Sequence, residues 1–335
     1  MRVQFSKEAF MSVSLRSLKI VALVAALACI PVLSFAGGQS DAQGANLILA
    51  TGGTSGTYYP FGGAMAQIWN KNIAKMNVTA QATGASKENI RLVGKSEADL
   101  AIVQNDVMDY AFNGVELFNN EKVEGFRTLA TLYPEIIQIV VDPASGINSI
   151  ADMKGKRISV GDAGSGVEAN AKQILEANGL SFSDLKAAHL SFKESAAGVK
   201  DKQLDGFFVT AGVPNAAIQE LSALAPVKIL SVDEATGKKL MDKYKFYTKE
   251  SIPASTYNGM TAPASTVAVK ATLIVRKGLS EKVVYDLTKA LFEKQADLAS
   301  AHAKGKELNL ANAVQGVSIE FHPGALKYYK EKGVK

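Results

Sequence analysis

Four times along the chain a short apolar run gives way to a turn of small polar residues and then to a stretch with helical spacing. The apolar runs are "NLILA" at 46–50, "DLAIVQ" at 99–104, "KRISVG" at 156–161 and "DGFFVT" at 205–210. Strands that alternate with helices predict parallel α/β sheets. After the first run, Pro60 suits an early helical position, and Phe61, Met65, Ile68 and Trp69 fall on one helix face. After the second, Asn105 or Asp106 can cap a short helix closed by Gly114. In the third unit Ser165 and Glu168 have capping-box spacing, and Gly179 ends the helix. In the fourth, Pro214 is expected just inside the helix start, and Ser86 in "GASKENIRLV" is expected to cap a fifth helix.

Parallel α/β sheets bind ligands outside the carboxyl ends of their strands, where these polar turns fall. Helix starts there offer free N–H groups and the positive ends of macrodipoles, so several of them converging make an anion site without Arg or Lys. The stretch "LILATGGTSGTYYPFGG" is the strongest candidate. Gly52, Gly53 and Gly56 permit close backbone approach, while Thr54, Ser55 and Thr57 supply small donors.

At 335 residues the chain is long enough for two domains. An apolar run ending at Pro143, with a capped helix start at Ser149, predicts a crossing from one domain to the next. Pro253, Gly259 and Pro263 mark a return. The expected division is 44–138 plus 252–335 as a discontinuous lobe I, and 139–251 as lobe II. Residues 1–36 read as a signal peptide: Arg16 and Lys19 precede an uncharged stretch from Ile20 to Ala36 that ends in Ser34-Phe35-Ala36. Cleavage after Ala36 is expected to release the protein into the periplasm, and Met11 serves as well as Met1 for the start. Cys29, the only cysteine, lies in the removed segment, which leaves no thiol chemistry or Cys-ligated metal. The net charge of +5 falls to about +2 once the segment's +3 is removed, and no basic run interleaves with aromatics as a nucleic-acid surface requires.

Taken in order, "GGTSGTYYPFGG", "GASKENIRLV", "EADLAIVQNDVMDYAFNG", "YPE", "DMKGKRISVGDAGSG", "DGFFVTAGVPNAAI" and "FHPGALKYYKEKG" resemble the TAXI-type extracytoplasmic solute receptors of tripartite ATP-independent periplasmic (TRAP) transporters. The resemblance spans nearly the whole mature chain. It implies a type II periplasmic-binding-protein fold: two α/β lobes on a hinge, closing over a small organic anion in the interlobe cleft. The ligand it implies is glutamate-like or a dicarboxylate such as 2-oxoglutarate, with no cofactor. The partner it implies is a TRAP permease of small and large membrane subunits, separate or fused, served by a monomeric receptor. Carried over, the ligand contacts are Gly53, Thr54, Ser55, Thr57, Tyr58, Ser86, Gln104 and Asn105 in the first lobe. The second lobe gives Gly164, Ser165, Gly166, Val167 and Thr210, and Tyr257 stands near the return crossing. Asn105 stands where the family often has Ser, and Val167 where it often has Thr.

Enzyme motifs do not fit. The sequence has no H-E-x-x-H, no P-loop and no calcium-loop spacing, and Thr57 replaces the final glycine of a nucleophile elbow in "GGTSGT". Of the three histidines, His322 before Pro323 reads as a helix cap. The alternatives are an exported α/β hydrolase and a ligand receptor for a sensor kinase.

Overall fold

The computed structural model describes residues 45–334. The expected signal segment and Cys29 lie outside them. The first half of the chain runs β1 (Ala45–Ala50), α1 (Tyr58–Asn72), β2 (Met76–Gln81), α2 (Ser86–Gly94), β3 (Leu100–Gln104), α3 (Asn105–Asn113) and the long β4 (Phe126–Val141). Next come β5 (Arg157–Ser159), α4 (Gly166–Ala177), β6 (Lys186–Ala188), α5 (Phe192–Lys200), β7 (Gly206–Ala211), α6 (Ala216–Leu224), β8 (Lys228–Leu230), α7 (Glu234–Lys243) and β9 (Thr248–Ile252). The chain closes with β10 (Ala264–Arg276), α8 (Glu281–Glu293), α9 (Gln295–Ala301), α10 (Leu310–Ala313) and α11 (Pro323–Glu331).

The strands are ordered β2-β1-β3-β10-β4-β7-β5-β6, with β8 added to β4 and β9 to β10. At one end β1 is parallel to β2 and β3, and at the other β5 is parallel to β6 and β7. These are the parallel pairs the strand-helix alternation predicts. The antiparallel strands β4 and β10 join the two ends: β4 pairs β10 along Phe126 to Ile136, then β7 from Ile136 to Val141. Pro134, which cannot donate to a ladder, sits opposite Lys270 beside a register shift at Ala271/Thr272, a position where a sheet tolerates proline.

Both sheet faces are covered, so strand residues are buried on each side. Along β3, Leu100 and Ile102 join a core with Phe61, Met65 and Trp69, while Ala101 and Val103 join one with Val107, Ile174 and Phe208. A third cluster packs Phe207 and Val209 against Ile218 and Leu221. Burial of each such large side chain contributes about 1.5–3 kcal/mol. The expected stripe on α1 is observed, and Trp69 also donates from Nε1 to the Leu287 carbonyl at 2.9 Å.

Several local expectations are corrected. Ser86 is the first residue of α2 rather than its cap; Ala85 holds that place with φ 69°, and the Ser86 hydroxyl accepts from the Gln104 amide at 3.1 Å. Pro214 precedes α6, whose cap is Asn215 accepting from Ala217 and Ile218. The expected helix at Ser149 is a single 3₁₀ turn over Ala151–Met153, whose Asp152 carboxylate gathers the Asn148 and Ser149 amides. Gln104 occupies the cap position of α3, so neither Asn105 nor Asp106 caps it; Gly114 closes it with φ 71° as expected.

Candidate functional site

Helices α1, α2, α4 and α5 all begin at one cleft between the parallel ends of the sheet. The β1–α1 turn contributes Gly52, Gly53, Ser55, Gly56, Thr57 and Tyr58, and the start of α2 and the end of β3 add Ala85, Ser86 and Gln104. Facing them are Asp162, Ser165, Gly166 and Val167 from the β5–α4 turn, Ser191 and Phe192 from the start of α5, and Thr210 and Ala211 at the end of β7. Glu135 of β4 completes the wall. The space between them, about 50 Å³, opens to solvent and exceeds what a single water needs, roughly 10–15 Å³.

The two sides touch across this cleft. Gly212 N donates to Thr57 Oγ1 at 3.1 Å, and Asn215 Nδ2 donates to the Ser55 carbonyl at 3.3 Å. Gly166 lies so close to Gln104 that a Cβ there would meet its Oε1 at 2.1 Å. Only glycine permits that approach. The residues at these junctions are almost fully buried, Thr57 at 8 % exposure and Gln104 at 2 %.

The α4 turn is built by backbone and cap together. Gly161 and Gly164 take φ of 92° and 77°, which glycine adopts without strain. Ser165 caps α4, its Oγ accepting from Glu168 N at 3.1 Å. The capping box is half-formed, because the Glu168 carboxylate accepts from Gly164 N at 2.6 Å and also meets His189 Nδ1 at 3.0 Å. The first amides of α4, on Gly166 and Val167, remain directed toward the cleft end of the helix, as the geometry of a helix start requires.

Ten of the residues the sequence singles out are brought together here: Gly53, Ser55, Thr57, Tyr58, Ser86, Gln104, Ser165, Gly166, Val167 and Thr210. Four stand elsewhere. Thr54 faces a neighbouring groove with Lys193 and Glu220, and Gly164 faces another with Lys87 and Arg91. Asn105 is committed to structure, donating to the Gly316 carbonyl at 2.7 Å and accepting from Lys270 N at 2.9 Å. Tyr257 donates to Gln138 Oε1 and accepts from Asn215 N at 2.8 Å, so it positions the residue that crosses to Ser55.

Sequence reasoning gave no role to Glu135, Asp162, Ser191 or Phe192. Glu135 is the most consequential. Tyr58 Oη donates to its Oε2 at 2.5 Å. Burial pushes this carboxyl up to about 8, the Tyr58 hydrogen bond opposes the shift, the Asp106 carboxyl adds to it and Lys304 opposes it. Asp162 is also raised, mainly by burial. The lining contains no Lys, Arg or His. The histidines are engaged elsewhere: His322 caps α11 as expected, accepting from Gly324 N at 3.2 Å, and His302 accepts from Lys304 N at 3.2 Å.

A polar chain leads inward from the cleft. Thr210 Oγ1 donates to Asn170 Oδ1 at 3.0 Å, and Asn170 Nδ2 donates to Asp106 Oδ2 and to Tyr247 Oη, both at 3.0 Å. Burial pushes Asp106 up to about 7, against the hydrogen bonds it accepts from Val107 and Asn170.

Residues 49–333 match the family model described as the NMT1-like family. The chain belongs to the NMT1-like family. Its fold recurs in solved structures of low identity. One is a binding protein component of an ABC phosphonate transporter from Pseudomonas aeruginosa, 13% identical over 78% of this chain and 79% of that one, TM-score 0.53. Another is a protein of Bordetella bronchiseptica RB50, 14% identical over 85% and 89%, TM-score 0.52. A weaker similarity is to the alkanesulfonate-binding protein SsuA from Xanthomonas axonopodis pv. citri, 16% identical over 86% of this chain and 84% of that one, TM-score 0.49. The NMT1-like chain therefore has the two-lobed α/β architecture of type II periplasmic binding proteins, as the resemblance to the solute receptors implies.

Proposed function

We propose that this NMT1-like protein is a periplasmic solute receptor, which captures a small organic acid in the cleft and hands it to a TRAP membrane permease. The observation that carries the reading is the convergence of four helix starts and their hydroxyls on one buried space bridged from both sides. Helix N-termini hold a carboxylate with backbone N–H groups and dipoles alone, which answers the lack of Arg and Lys in the lining. The ligand class is glutamate-like or a dicarboxylate such as 2-oxoglutarate, and the permease partner follows from the TAXI resemblance. The lobes divide within β4 and at the end of β9, so that 44–138 with 252–335 moves against 139–251. Binding is stoichiometric, without turnover.

A thermal-shift screen of amino acids and carboxylic acids on the mature protein, followed by titration calorimetry, tests this. A true ligand at a hundredfold excess over Kd adds about 2.7 kcal/mol of stability, and X-ray scattering shows compaction. Absence of stabilisation by every organic acid, or consumption of a ligand beyond one equivalent, contradicts the reading. Uptake in vesicles carrying the TRAP permease, absent without the receptor, tests the partner. The fold is shared with a binding component of an ABC system, so ATP-dependent uptake through an ABC permease is the result that reassigns it.

A further inference from the structure

The proposed ligand is acidic, yet the cleft presents carboxyl groups of its own. Glu135 and Asp162 both line it, with no cationic side chain among the lining residues. Glu135 is 2 % exposed and lies on the central strand β4, away from bulk water. Its Oε2 accepts from Tyr58, and no other hydrogen bond to this carboxyl forms among the described residues. Gln104, equally buried in the same lining, leaves its Oε1 without a partner. A buried acceptor left unpaired costs stability unless a ligand supplies a donor. The helix starts of α1, α2, α4 and α5 favour negative charge, whereas Glu135 and Gln104 call for N–H donors. A ligand satisfying both is a zwitterion.

We infer that Glu135 is the specificity-determining residue of this receptor: it takes the ammonium group of an amine-bearing acid and disfavours otherwise identical acids that lack the amine. The inference rests on the receptor reading. Burial keeps the free Glu135 carboxyl protonated at neutral pH. An ammonium group requires the carboxylate, so the Glu135 O–H bond breaks, its proton goes to water, and an N–H···O⁻ bond replaces it. Facing Glu135 are Tyr58 from α1, Asp106 from α3, Tyr133 on its own strand and Lys304 from the turn after α9. Lys304 is held by Glu307 at 2.6 Å, and the β10 residue opposite Glu135 is the uncharged Val269. Asp162 adds a second raised carboxyl to the wall. None of these supplies a free cation to replace the ligand's.

The test is calorimetry on the mature protein with matched pairs, L-glutamate against 2-oxoglutarate and L-alanine against pyruvate, in buffers of differing ionisation enthalpy. The amine-bearing member of a pair is expected to bind at least about tenfold more tightly, since a hydrogen bond between charged groups carries that much. About one proton is released per ligand at pH 6.5, and fewer above pH 8. Glu135→Gln removes both the preference and the proton release, while thermal melts report whether it folds. Tyr58→Phe, a second route, deprives the carboxylate of its donor and moves the rise of affinity to higher pH. Equal or tighter binding of the oxo acids, or proton uptake on binding, overturns the inference and leaves the receptor reading standing. Failure of all four acids and of the wider screen removes both.

Discussion

Gly212 and Thr57, far apart in sequence, meet across the cleft: the Gly212 amide donates to Thr57 Oγ1 at 3.1 Å. Thr57 occupies the cap position of α1 yet makes no side-chain capping bond there. Its hydroxyl serves the junction instead. Thr57→Val removes the acceptor while costing α1 no side-chain cap. A neutral hydrogen bond contributes about 0.5–1.5 kcal/mol, so closure weakens and affinity falls by about two- to tenfold. Calorimetry measures the loss, and scattering of the unliganded variant is expected to show a larger radius of gyration than the parent.

Gly166→Ala separates folding from binding at a second junction. An added Cβ would lie 2.1 Å from Gln104 Oε1. The atom in the way is the end of a flexible side chain, and alanine is a better helix residue than glycine. The melting temperature is expected to stay within a few degrees of the parent. Gln104 must leave its place, however, and affinity is expected to drop by at least about tenfold. Unchanged affinity would detach Gln104 from recognition.

The strands β1, β3, β5 and β7 and the turns after them were legible because short continuous apolar runs bounded by glycine-hydroxyl turns leave local marks, β3 and β7 being buried at every residue. Ser165 as a cap and His322 as a cap were legible for the same reason. Glu135 was not: one carboxylate within "YPE" says nothing about burial until β7 and β10 flank its strand. Asn105 reads as a cleft residue only if its side chain points forward, whereas it turns to β10 and Gly316. Ala85 at φ 69° escaped because that conformation is ordinarily glycine's, and Gly84 stands beside it.

The buried acids predict an unusual pH profile. Asp106 and Glu135 are pushed up to about 7 and about 8, so the native state holds protons that the unfolded chain loses near pH 4. Stability from this source is present at acid pH and lost as pH rises toward the folded values, by up to about 1.4 kcal/mol per pH unit for each group. Asp142 and Asp205 are lowered, Asp205 mainly by the Arg157 hydrogen bond and Asp142 by bonds from Lys202 and Ala144 that outweigh its burial. Those contributions fail instead as pH falls below the usual carboxylate range. Urea denaturation is expected to place the maximum at mildly acidic pH. Asp106→Asn should flatten the decline between pH 5 and 7 by about 1 kcal/mol per unit; an unchanged slope would mean that Asp106 titrates normally.

Ser165 gives the sharpest test of which end of the cleft holds the ligand carboxylate. Its Oγ caps α4 by accepting from Glu168 N, and it lines the cleft beside Gly166 and Val167. Asp is as good an N-cap as Ser and favours the positive helix end, so Ser165→Asp is expected to melt like the parent. If a ligand carboxylate sits on these amides, the substitution sets a negative charge against it and removes a hydroxyl donor. A hydrogen bond to a charged group carries about 1.5–3 kcal/mol, so affinity for carboxylic acids falls at least tenfold to about a hundredfold. Asp162 and Glu135 in the same wall deepen the loss. Ser165→Ala, lacking both cap and donor, should lower stability and affinity together. Titration calorimetry beside a thermal melt reads both quantities, and a Ser165→Asp protein that binds at parental affinity would move the carboxylate away from α4.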